Sequence, residues 1–62
     1  MTLENLLRAF TGYQTCTIYW KDYEIAGNAQ SLVAMIDDCW LDISVEKFAM
    51  ENHELQIWLK ED

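Results

Sequence analysis

The chain has 62 residues, which makes one domain, residues 1–62, near the lower size at which a protein buries a sufficient core without metal or disulfides. Four basic residues against eleven acidic ones leave a net charge of −7, and that balance excludes the cationic surface on which direct nucleic-acid binding or attachment to an anionic membrane depends. An apolar fraction of 52 % with three Trp, three Tyr and two Phe excludes a disordered chain. No run approaches the roughly 18 apolar residues of a membrane span, and no basic-then-apolar start marks a signal peptide, so the expected location is cytoplasmic.

Thr2 is the expected N-cap of a first helix, with Glu4 near the positive end of its dipole. Leu3, Leu6, Leu7 and Phe10 recur at helical spacing, and Gly12 is the expected left-handed stop. The stretch Tyr13–Trp20 has strand composition, with Cys16, Ile18 and Trp20 on one face and Thr15, Thr17 and Tyr19 on the other. A turn at Lys21-Asp22 returns the chain through a short charged strand, Tyr23-Glu24-Ile25, which belongs at a sheet edge.

Gly27-Asn28 ends the first half of the chain. Asn28 caps a second helix whose Ala29, Leu32, Val33 and Ile36 form its stripe, and Asp37 and Asp38 close it at the unfavourable end of the dipole. Leu41, Ile43 and Val45 alternate with Asp42, Ser44 and Glu46 as a third strand; Leu55, Ile57 and Leu59 alternate as a fourth. Between them the phase slips. Either a bulge near Glu46-Lys47 restores the inward face, or Phe48 and Met50 look out on the other side. The polar connection Glu51-Asn52-His53 is the hairpin turn. The order α-β-β-α-β-β predicts a two-layer α+β domain: an antiparallel sheet of about four strands with two short helices on one face.

Catalytic sets do not emerge. His53, the only histidine, stands in a turn beside Glu51 and Glu54; as an acid/base group it would need a partner and a pocket, and a solvated turn residue is the simpler reading. Cys16 and Cys39 with one distant histidine are no zinc signature, and both are expected to be reduced apolar fillers. The reading is therefore of a chain that is not an enzyme and carries neither cofactor nor metal.

Two surface features remain. Tyr19, Trp58 and Phe48 supply more aromatic area than one covered sheet face requires, as an interface or a homodimer contact would, or as a cross-strand pair that stiffens the sheet. Around them lie Asp22, Glu24, Asp37, Asp38, Asp42, Glu46, Glu51 and Glu54, spaced carboxylates that either keep the chain soluble or imitate phosphates in a basic channel. A short acidic domain with a leading helix (TLENLLRAF) and carboxylate-bearing hairpins (KDYE, VEKFAMENHE) resembles the small phage-encoded inhibitors of bacterial defence, the anti-CRISPR and DNA-mimic proteins, in size, charge and element order. That resemblance implies a protein partner, basic and nucleic-acid-binding. The alternative expectation is a small interaction module or homodimeric subunit that uses the aromatic face.

Overall fold

The structure, a computed structural model, describes residues 1–61. Helix α1 (Leu3–Ala9) begins where expected: the Asn5 amide donates to Thr2 Oγ1 at 3.3 Å, and Glu4 pairs with Arg8 one turn on at 3.1 Å. Its three buried leucines, Leu3, Leu6 and Leu7, contribute about 1.5–3 kcal/mol apiece on removal from water. Gly12 does not serve as a left-handed stop. The helix ends earlier, with Phe10 in extended backbone as its C-cap, and Gly12 has no positive φ. Space here is tight: a Cβ would stand 3.1 Å from Gln30 Cβ, whose backbone amide donates to the Gly12 carbonyl.

Strands β1 (Thr15–Trp20) and β2 (Tyr23–Asn28) form the first hairpin. Lys21 turns it with φ 55°, an uncommon conformation for a side chain of this kind. Asn28 then caps α2 (Ala29–Met35), its Oδ1 accepting from the Ser31 amide at 2.8 Å.

Beyond α2 the chain departs from the expected order by one element. A single-turn helix α3 (Asp38–Leu41) follows, with Asp37 as its N-cap and Asp42 as its C-cap. Leu41 therefore points into the core from a helix, and the alternation read through Leu41, Ile43 and Val45 belongs to a strand only from Val45 onward. Asp38 also changes character: it lies in the first turn of α3, where the dipole favours an acid, not at the closing end of α2.

Strands β3 (Val45–Glu51) and β4 (Glu54–Leu59) make the second hairpin. Its two-residue turn has Asn52 and His53 both left-handed, at φ 52° and 65°, the conformation a type I′ turn demands. The register passes from Val45 opposite Leu59 directly to Lys47 opposite Trp58, so Glu46 is the extra residue of a bulge. The bulge resolves the phase slip: Phe48 lies opposite Ile57 and Met50 opposite Leu55, on the helix side of the sheet.

The sheet order is β2-β1-β4-β3. Both hairpins are antiparallel, but the central pair, β1 with β4, is parallel, so the sheet is mixed where an antiparallel one was expected. Pairing β1 with β4 leaves one strand of each hairpin at an edge, β2 and β3, and puts the two most apolar strands in the middle. Their inward residues Cys16, Ile18, Leu55, Ile57 and Leu59 then meet the leucines of α1, Ala29 and Leu32 of α2, and Trp40 and Leu41 of α3 in one core. The α+β class and the α-β-β-α-β-β framework stand as read from the sequence.

Candidate functional site

Alternation along four registered strands puts every second residue on the face that the helices leave bare. Three rows cross this open face: Glu24-Tyr19-Trp58-Lys47, then Ala26-Thr17-Gln56-Ala49, then Asn28-Thr15-Glu54-Glu51. In the first row Tyr19 and Trp58 stack with ring centroids 5.4 Å apart and planes 16° from parallel. The Lys47 ammonium extends the stack, 4.8 Å from the Trp58 ring. In the second row Thr17 is buried, and its hydroxyl donates to Glu54 Oε1 at 2.7 Å. The third row closes the hairpin with Glu51 opposite Glu54, a like-charge pair that costs a few tenths of a kcal/mol or more. Phe48 does not join Tyr19 and Trp58. The bulge turns it to the helix side, where it stays 48 % exposed because it sits on the edge strand.

A second aromatic group was not legible in the sequence as a unit. Trp20 and Tyr23, at the tip of the first hairpin, meet Trp40 of α3: Trp20 and Trp40 are 4.9 Å apart edge-to-face, and Tyr23 and Trp40 5.8 Å. Trp20 Nε1 donates to the Lys60 carbonyl at 3.1 Å, and the Lys21 ammonium lies 4.5 Å from the Trp20 ring. The signal was available only as composition, an aromatic on each side of a two-residue turn and another in a short segment after α2.

These contacts hold the β1–β2 turn beside α3. The expected carboxylates divide accordingly. Asp22 lies in the turn beside Tyr23, and Asp37, Asp38 and Asp42 lie on or at the ends of α3, whose Trp40 meets Trp20 and Tyr23. Glu46 sits in the bulge of the opposite edge strand, Glu24 on the open face, and Glu51 and Glu54 at the far end of that face. They do not form a single face. Among the described residues the only ion pair is that of Arg8 with Glu4, so none of these eight has a cationic partner within 4.0 Å.

Two clefts flank the helices. One of about 260 Å³ lies between α1 and α2, and Arg8 is the only ionisable side chain on it; the other, about 240 Å³, lies between β2 and α2 and is lined by Ile25, Leu32, Met35 and Ile36 with no ionisable group. His53 is exposed in its turn, where its carbonyl accepts from Gln14 Nε2 at 2.8 Å. Cys16 is buried, its thiol donates to the Gln14 carbonyl at 3.4 Å, and burial pushes its pKa up. Cys39 is exposed, not the apolar filler expected. Among the described residues no group of three His, Cys, Asp or Glu side chains is placed to hold a metal, and no helix is long and apolar enough to cross a membrane. No protein-family model matches the chain, and neither does any curated protein or solved structure.

Proposed function

We propose that this chain is a non-enzymatic binding protein whose carboxylates occupy the basic, nucleic-acid-handling surface of another protein, an inhibitor of the anti-CRISPR or DNA-mimic type encoded by a phage or mobile element. The observation that carries the reading is that the turn holding Asp22 is fixed by Trp20 and Tyr23 against Trp40 of α3, the helix that Asp37, Asp38 and Asp42 cap and begin, and that among the described residues no cation is paired with any of the four. Lys21, in the same turn as Asp22, lies over the Trp20 ring instead. Unneutralised carboxylates on a rigid support offer a basic groove the charge pattern of a phosphate backbone, and the attraction steers encounter as well as holding the complex.

The test is capture of partners from bacterial lysate on the tagged protein, eluted with rising salt and identified by mass spectrometry. A basic nucleic-acid-binding protein released at moderate salt supports the reading, because added salt shortens the Debye length, about 10 Å at 0.1 M, and so weakens attraction between exposed charges. The triple variant Asp37→Asn, Asp38→Asn, Asp42→Asn should lose that partner while keeping its circular dichroism spectrum. Retention unchanged in the triple variant, or a neutral partner that survives high salt, would reject it.

A further inference from the structure

The open sheet face is self-complementary, and we propose that it docks on the same face of a second copy. The first row runs from acid to base across the sheet, Glu24 on the β2 edge, Tyr19 and Trp58 in the middle, Lys47 on the β3 edge. A two-fold axis lying between two such faces and along the strands reverses strand order while keeping each row against itself. Glu24 then meets Lys47 of the second copy, and Tyr19 meets Trp58, twice over by symmetry. The remaining rows agree. Glu54 meets Thr15, whose hydroxyl can donate to it, Glu51 meets Asn28, and no carboxylate faces another. Turning the axis perpendicular to the strands would press Trp58 against Glu54 and separate the aromatic pairs, so the first arrangement is the one the face supports.

The cation of this row is already held in place, since Lys47 lies over the Trp58 ring and Trp58 on Tyr19, and little side-chain freedom is left to lose on docking. Small residues, Ala26 and Ala49, flank the middle row and let two sheets approach to the usual separation of about 10 Å. Four strands about 4.8 Å apart and six residues at about 3.3 Å cover roughly 400 Å² of plane per copy. The accessible surface buried by two copies is on the order of 1,000 Å², the lower bound for a specific contact, and we expect a weak dimer with a dissociation constant in the micromolar range. The acidic residues of α3 and its caps lie outside this face, and the inference stands or falls independently of the inhibitor reading.

The experiment is sedimentation equilibrium of the purified chain from about 1 µM to about 500 µM, bracketing that affinity. The mass should rise with concentration from 7.3 kDa toward twice that value. Lys47→Glu and Glu24→Lys should each weaken association at least tenfold, and an equimolar mixture of the two variants should associate again, because the mixed pair joins opposite charges at both contacts. Ala34→Lys, at an exposed side chain of α2 in the helix layer, should leave the native dissociation constant unchanged. A native chain that stays monomeric throughout, or a variant mixture that fails to associate where the native chain does, overturns the proposal.

Discussion

On the helix side of the sheet, Cys16, Ile18, Leu55, Ile57 and Leu59 are between 0 and 2 % exposed and belong to one apolar core. On the other side the same four strands carry a stacked aromatic pair, a lysine over it, a buried threonine hydroxyl bonded to a glutamate, and two facing carboxylates. The first face is held by burial, which is non-directional and tolerates exchange of one apolar shape for another. The second is held by pairs, each weak and each dependent on its partner's position. The comparison teaches where stability resides and where recognition can be carried without threatening it.

The sharpest way to break the comparison is Ile57→Ala. At 0 % exposure in the centre of the sheet it should cost about 2–5 kcal/mol. That is a large share of the roughly 3–9 kcal/mol available to a domain of this length. Urea denaturation followed by tryptophan fluorescence measures it. Its neighbour on the same strand, Trp58→Ala, should cost only about 1–2 kcal/mol despite removing a larger side chain, because it forfeits one aromatic stack and one cation–π contact at a half-open site. A cost for Trp58→Ala equal to that for Ile57→Ala would show the open face to be a second core.

Smallest, and opposite in sign, is His53→Gly. A one-residue slip of the β3–β4 register would exchange the two faces, and the turn that holds the register keeps a histidine at φ 65° where glycine is unstrained. The substitution should stabilise the chain by about 1 kcal/mol, read as a rise in Tm of about 4–8 °C. A fall in Tm would mean that the imidazole supports the fold in its own right.

How far the sequence spoke for the structure can be followed along particular residues. Thr2 and Asn28 act as the caps their side chains suit them for, and the leucine stripes bury as their spacing requires, because caps and stripes depend only on residues within one or two turns. Phe48 illustrates the next step outward: its parity was readable, yet which side it faces depended on a bulge, and a bulge is settled by the partner strand. Leu41 alternated with polar neighbours as a strand residue does, over too few positions for period 2 to be told from one turn of helix. The parallel pairing of β1 with β4 and the meeting of Trp20, Tyr23 and Trp40 join segments far apart in the chain, and no local pattern announces them. Of the candidate site, the residue types were legible and their grouping was not: the carboxylates separate among a turn and the helix it meets, an edge and a face according to that same non-local pairing.

The parallel central pair also bears on how the molecule comes to exist. Thr15 pairs with Glu54 and Tyr19 with Trp58, so every rung of the middle ladder joins residues from opposite halves of the chain. Each hairpin can close in about 1–10 µs, but alone it presents one central strand with an unpaired side. The loop that brings them together must be closed before any middle contact rewards it, which places this small domain among the slower folders of its length. Until then β1 and β4 both lie open, and the acidic side chains crowding the turns and edges repel another copy's strands during that wait.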